Sequence, residues 1–281
     1  MPELPEVETV CRGLEQALVG DQFTSVTLRR PNLRFPFADG FAAALTGRRI
    51  DAITRRAKYI LMSFDGGPIM IGHLGMSGSF RIEPKFDPAS PFDKHDHVIF
   101  ETKRGIRVRY HDPRRFGFML LSAPDGLATH PQLAGIGPEP LGNEFSGPIL
   151  AERLRGRKSP IKIALLDQRV VAGVGNIYAC EALYRSGISP RRRAENVKGR
   201  RADDLAAAIR TVLLEAIESG GSTLRNYSHT TGELGYFQHR FLVYDREGSP
   251  CPKADCASVI QRIAQSGRST FFCPNYIANQ T

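Results

Sequence analysis

The chain opens Met1-Pro2-Glu3-Leu4-Pro5-Glu6, so an imino acid follows the initiator and two carboxylates lie within the next four positions. Proline in second place permits removal of Met1, which leaves Pro2 with a free secondary amine. An α-amino group titrates near about 7.7–8.0, so an appreciable fraction is unprotonated at neutral pH. Such an amine is a candidate nucleophile toward a sugar C1′, where its attack gives an imine. Glu3 beside it can protonate a ring oxygen or relay protons, and Glu6, a turn later, can support the same site. The plainer reading is a helix start. Pro5 suits a first-turn position, and Glu6 and Glu8 suit the positive end of the helix dipole.

A second grouping stands at the far end, where Cys251, Cys256 and Cys273 account for three of the five cysteines. An odd cysteine count argues against a secreted disulfide framework, and the crowding points to a metal rather than to redox chemistry. Cys11 and Cys180 lie on apolar helix faces and read as packing residues. Between the two ends, Lys58 follows Arg55 and Arg56 and by itself reads as a solvated charge on a strand edge. His95 and His97 share a face on a strand; with no third ligand of matching type near in sequence, phosphate contact is preferred to a metal site. Gly173 and Gly175 let backbone approach a phosphate, and Asn176 can cap the following helix while its amide donates to nucleic acid. Lys158 and Lys162 add positive charge on that side.

The balance of charge fits a polyanionic partner. Against 29 Asp and Glu stand 38 Lys and Arg, a formal net charge of +9, which favours nucleic acid first and an anionic membrane surface second. No apolar run approaches the ~18 residues of a membrane span, and the acid- and proline-rich start does not resemble a signal peptide. A monomeric cytoplasmic protein is expected.

The elements that must hold these residues fall into an α+β pattern. Val7, Val10, Cys11, Leu14 and Leu18 recur at helical spacing behind Pro5. From about residue 23 to 121 short apolar runs follow, at 25–28, 59–64, 68–71, 98–101, 106–110 and 117–121, parted by Gly, Pro and Asp turns. They read as a β-sandwich or barrel. Residues 123–145 are rich in Pro and Gly and serve as a linker. Helical stretches come next, at 149–154, 159–166, 176–185 and 202–219, then a Gly-rich loop from Gly220 and a cysteine-bearing β-hairpin. The expected division is a β-sandwich domain at 1–130, a helical domain at 131–240 and a hairpin module at 241–281.

Read together, these motifs resemble a known family. Met-Pro-Glu-Leu-Pro-Glu-Val-Glu-Thr-Val is similar to the N-terminus of the bacterial formamidopyrimidine-DNA glycosylases, and the likeness runs in order along essentially the whole chain. Ala57-Lys58-Tyr59-Ile60-Leu61, His73-Leu74-Gly75-Met76-Ser77-Gly78 and Asp112-Pro113-Arg114-Arg115-Phe116-Gly117 all belong to it, as does the segment from Lys158 through Gly173-Val174-Gly175-Asn176, which resembles the family's helix–two-turn–helix. So do Gly220-Gly221-Ser222-Thr223 and Gly267-Arg268-Ser269-Thr270. Endonuclease VIII relatives usually carry Gly where this chain has Leu4, so the match favours the purine-directed branch.

The resemblance implies roles. Pro2 is the nucleophile, Glu3 its proton partner, Lys58 the residue of β-elimination and Arg268 the phosphate-gripping arginine of δ-elimination. His95, Lys158, Lys162 and Asn176 grip damaged double-stranded DNA. Excision from a duplex requires the base to be flipped out at a cost of a few kcal/mol. Met76 and Phe116 then act as wedges in the gap, and Arg114 as the fork that bonds the orphaned base. On the residues alone, Met76 and Phe116 read as core. The loop after Gly220 covers the lesion. The hairpin binds Zn2+, although the family's fourth cysteine is replaced here by Tyr276, which leaves Asp255 or water as the substitute ligand. The expected enzyme removes oxidised purines and cuts the backbone. An endonuclease VIII-type enzyme for oxidised pyrimidines, and a catalytically silent DNA-binding protein, are the alternatives.

Overall fold

The structure, a computed structural model, describes residues 1–222 and 236–277, with side chains as far as Asn275. The chain divides into two compact units, Met1–Ala134 with Ser219–Tyr236, and Gly135–Glu218 with Phe237–Thr281. Among the described residues no helix is long and apolar enough to cross a membrane.

In the first unit, helix α1 (Leu4–Leu18) buries Val7, Val10, Cys11, Leu14 and Leu18, the face its spacing predicts. It is followed by β1 (Phe23–Leu28), α2 (Phe41–Leu45), β2 (Ile50–Arg56), β3 (Tyr59–Phe64), β4 (Ile69–His73) and β5 (Ser79–Glu83). Strands β6 (Asp96–Thr102), β7 (Arg107–His111) and β8 (Phe118–Ser122) complete it. They form two four-stranded antiparallel sheets, β1-β6-β7-β5 and β2-β3-β4-β8. Phe23, Phe100 and Tyr110 of one sheet and Ile53, Ile60, Met62 and Met70 of the other join the α1 face in a single buried cluster. Burying each such side chain contributes about 1.5–3 kcal/mol. That packing fixes α1, and with it the residues just before it.

The turn from β2 to β3 is two residues long, because Arg56 pairs with Tyr59 and leaves Ala57 and Lys58 as the loop. Ala57 has φ 53°, a left-handed conformation, and is fully buried. A side chain held there costs on the order of 1 kcal/mol. The surroundings impose it: Arg55 donates through Nη1 to the Ala57 carbonyl at 2.9 Å and through Nε to Glu8 of α1 at 3.0 Å.

The second unit contains α3 (Gly147–Leu154), α4 (Ile161–Leu165), α5 (Asn176–Arg185) and α6 (Arg200–Glu218), then the hairpin β9 (Gln261–Gln265) and β10 (Arg268–Phe272) and the short α7 (Pro274–Ile277). Eight consecutive residues of α5, Ile177 to Tyr184, are buried. The turn between α4 and α5 is held by Gln168, which accepts from the Gly173 N–H at 2.8 Å and donates to the Val174 carbonyl at 2.9 Å. The hairpin turn is Ser266-Gly267, both with positive φ, as a tight two-residue β-turn requires.

The units are cut differently from the expected three-way division. Residues after 240 do not stand apart, because Ile260, Phe271 and Cys273 pack on Cys180 and Tyr184 of α5. Glu181 of the same helix, 0 % exposed, accepts the backbone N–H groups of Leu242, Val243 and Tyr244 at 2.9 to 3.0 Å. Ser219–Tyr236 belongs with the first unit rather than with the helices, and Ser222 is bonded there to Glu6.

Candidate active site and nucleic-acid interface

At the head of α1 the two carboxylates form a reciprocal capping box, in which the Glu3 N–H donates to Glu6 Oε2 at 2.8 Å. Glu3 and Glu6 are each 2 % exposed and Lys58 is 6 % exposed, and Pro2 is buried as well. The second Glu6 oxygen accepts from the N–H and the hydroxyl of Ser222, at 2.9 and 3.0 Å. Gly221 makes this approach possible. Its φ is 78°, and a Cβ there would press on the Glu6 side chain at 3.3 Å.

The amino end of the chain lies among these groups. Burial pushes its pKa below the usual 8.0; Glu3 and Glu6 oppose that shift, and Lys58 and Arg114 add to it. Residues 3, 6, 58 and 114, remote in sequence, therefore act on one point. An amine at this place, where burial favours the neutral form and a carboxylate lies beside it, is chemically equipped for attack on an electrophilic carbon.

The two glycine-flanked loops meet behind that point. Asp112, 0 % exposed, accepts from the Ser77 hydroxyl at 2.6 Å, the Gly117 N–H at 2.9 Å and the Tyr110 hydroxyl at 3.4 Å. A Cβ on Gly75 would fall 2.3 Å from the Phe116 carbonyl carbon, so the loops touch backbone to backbone. The tips stay outside: Met76 is 37 % and Phe116 44 % exposed, and the Arg114 guanidinium lies 4.9 Å over the Phe116 ring. Both apolar side chains thus sit on the surface rather than in the core that their types alone suggest.

His95 is half-buried just ahead of β6, with its ring 6.2 Å from that of His97 and 5.7 Å from that of His111. The fold thus supplies a third histidine that spacing did not reveal. His97 is buried with Nε2 2.9 Å from the Asp112 carbonyl, and His111 Nδ1 lies 3.0 Å from Asp96, so one ring nitrogen of each is taken up inside the fold. Sequence reasoning also assigned nothing to His73. Burial, reinforced by Lys58 and Arg34, lowers its pKa to about 4. Its Nδ1 accepts the Gly75 N–H at 3.0 Å, which leaves Nε2–H as a neutral donor near Lys58.

In the second unit the expected residues divide. Lys158 and Arg268 are exposed, Arg268 as the first residue of β10 beside the hairpin turn. Lys162 is a correction: it is 0 % exposed, on the inward side of α4 with Ile161, Ala164 and Leu165, and cannot offer its ammonium to a phosphate. Asn176 is a second correction. The residue capping α5 is Gly175, and Asn176 is the first helical residue. Its amide donates to the Ser269 carbonyl at 2.9 Å, tying the helix start to β10. The expected lesion-covering loop lies outside the described residues between its ends, Ser222 and Tyr236.

The three thiols of Cys251, Cys256 and Cys273 lie within 4.8 Å of one another, with Cys256 and Cys273 3.5 Å apart. Zinc with bonds of about 2.3 Å in a tetrahedron sets neighbouring sulfurs about 3.8 Å apart, so the donor set fits one Zn2+. Asp255, exposed and with φ 63°, is not part of the group. The side chain of Tyr276 lies outside the described residues.

In chain order, a helix that carries the amino end beside two β-sheets, a helical unit and a three-cysteine hairpin are the layout of one class of DNA-repair glycosylases. Residues 1–119 match the family described as Formamidopyrimidine-DNA glycosylase N-terminal domain. Residues 136–228 match its H2TH domain, and residues 248–275 the zinc finger found in FPG and IleRS. Formamidopyrimidine-DNA glycosylase of Beijerinckia indica is 56 % identical over 97 % of this chain and 98 % of its own, and that of Rhodospirillum rubrum 55 % identical over 97 % and 98 %. The crystal structure of MutM (FPG) from Thermus thermophilus superposes with a TM-score of 0.86 at 40 % identity, covering all of both chains. The Lactococcus lactis Fpg in complex with DNA containing an abasic site does so with a TM-score of 0.88 at 35 % identity, covering 98 % of each. The chain belongs to the formamidopyrimidine-DNA glycosylase family and is a DNA-repair glycosylase.

Proposed function

We propose that the protein, as a monomer in the cytoplasm, excises oxidised purines such as 8-oxoguanine and formamidopyrimidines from duplex DNA and then cleaves the abasic site. Once Met1 is removed, the Pro2 nitrogen attacks C1′ of the flipped nucleotide. The C1′–N bond to the base breaks, the base leaves with a proton, and the loss of a proton and ring opening give an iminium link to Pro2. Glu3 handles the proton of the ring oxygen. Lys58 serves the β-elimination and Arg268 the δ-elimination, while Met76, Phe116 and Arg114 fill the gap in the duplex. Lys158, His95 and the start of α5 grip phosphates. One bound Zn2+ supplies a structural cross-link that shapes the Arg268 hairpin, held by Cys251, Cys256 and Cys273. The observation that carries this reading is the convergence of Glu3, Glu6, Lys58 and Arg114 on the amino end.

Borohydride trapping on duplexes with 8-oxoguanine opposite cytosine, or with dihydrouracil, tests the lesion class. An adduct on the 8-oxoguanine strand is expected. Trapping on dihydrouracil alone would move the protein to oxidised pyrimidines, and tight binding with trapping on neither would leave a silent DNA-binding protein.

The pH dependence follows from the surroundings of the amine. Protonation removes the nucleophile, and burial at this place favours the neutral form, as it does for the Met1 amine, so the trapping rate is expected to fall as pH drops. Single-turnover trapping from pH 5 to 9 is expected to fall toward pH 5; a rate that does not change across this range contradicts it.

A further inference from the structure

We infer that the zinc of this chain is held by three protein thiolates, with its fourth position left to an exchangeable ligand and open to a small external thiolate. The inference rests on the family's zinc assignment and concerns what this chain does where the family pattern places a fourth cysteine and it has Tyr276. Structural zinc takes its donors from cysteine, histidine and carboxylates, and a phenol is not among them. Among the described residues no histidine or carboxylate joins the three sulfurs, and Asp255, next to Cys256 in sequence, stays outside the group.

Tyr184 does not fill the place either. Its hydroxyl lies 3.3 Å from Cys251 Sγ, a hydrogen-bond distance to sulfur rather than a share in the metal. A zinc-bound thiolate can only accept, so Tyr184 donates to it and offsets part of its charge. Cys251 and Cys273 are buried, whereas Cys256 is half-exposed, so solvent reaches the group from the Cys256 side.

The hairpin tolerates a weaker metal clamp because other contacts anchor its base. Cys251 N–H bonds the Ser258 carbonyl and Ile260 N–H the Ser249 carbonyl, both at 2.9 Å. Phe271 and Ile260 sit in the apolar cluster with Tyr184, and Asn176 holds the Ser269 carbonyl. The metal is thus free to exchange more readily than a four-thiolate site without the hairpin falling apart.

X-ray absorption at the zinc edge tests the donor count directly. Protein purified without thiols should show three sulfurs and one light atom, and 2-mercaptoethanol should convert this to four sulfurs. Tyr276→Cys should show four sulfurs from the start and release zinc to a chromophoric chelator about ten-fold more slowly or beyond, the scale on which ligand shells tune affinity. Tyr276→Phe should match the unaltered protein in donor count and release rate, with circular dichroism confirming that each variant is folded. Four sulfurs in the unaltered protein, loss of the light atom in Tyr276→Phe, or no response to the thiol would overturn the inference. Protein that takes up no zinc would overturn the metal assignment together with it. Trapping on an 8-oxoguanine duplex, run on the same preparations, reports separately on the repair reaction.

Discussion

Protein that retains Met1 is expected to bind a lesion duplex yet give no borohydride-trapped adduct, a loss on the order of 10³-fold or more, equivalent to roughly 4 kcal/mol of barrier. The reason lies in one bond. With Met1 present, the Pro2 nitrogen is an amide whose lone pair is delocalised into the carbonyl, and it has no nucleophilic character. Met1 is 45 % exposed whereas Pro2 is buried, so retention occupies the mouth of the site without disturbing the α1 cluster beneath it. Binding should keep its steep salt dependence, because the phosphate contacts proposed for Lys158, His95 and Arg268 do not involve the amine. Mass spectrometry identifies the processed and unprocessed forms, and trapping is scored on each. An adduct from unprocessed protein would assign the imine to a side-chain amine, with Lys58 the first to examine.

Asp112→Ala is expected to have the largest effect among changes that leave the reacting groups intact. Its carboxylate is fully buried and answers three donors, Ser77, Tyr110 and Gly117, which hold two different loops. Removing it leaves those donors unpaired in the interior, at a cost of about 1–3 kcal/mol for each group left unsatisfied. The melting temperature should fall, and the loops bearing Met76, Arg114 and Phe116 should lose their fixed separation. Excision from a duplex should then drop more than cleavage at a preformed abasic site, where no base has to be displaced. Asp112→Asn keeps the shape and should recover part of both. An unaltered melting temperature in Asp112→Ala would mean that the carboxylate does not tie the loops.

The legible parts of the molecule were those written in a period. α1 and α5 lie where apolar spacing puts them, and the runs at 59–64 and 98–101 became β3 and the middle of β6. β2 and β5 were harder to see, since Ile50–Arg56 ends in two arginines and Ser79–Glu83 is short and half polar. Lys162 shows the limit of charge as a guide, for a lysine in a basic segment looks solvated until the turn of a five-residue helix points it inward. Asp112, His73 and Glu181 gave no signal of their own. Each acts through backbone groups brought close by the fold, and spacing carries no trace of such partners. The chemical residues were recognisable through the resemblance, since by type alone Pro2, Lys58, Met76 and Phe116 read as a helix start, a solvated charge and core residues. What holds them in place was not.

Glu6 carries one further consequence. One of its oxygens fixes the backbone of Glu3, and the other fixes Ser222, from which the loop toward Tyr236 departs. A single rigid carboxylate is thus a mechanical linkage between the reacting end of the chain and the root of that loop. Thermodynamic reciprocity then applies. Whatever draws Ser222 off Glu6 loosens the hold on the Glu3 backbone by the same free energy that a displaced Glu3 withdraws from Ser222, so each of the two senses the state of the other through one side chain.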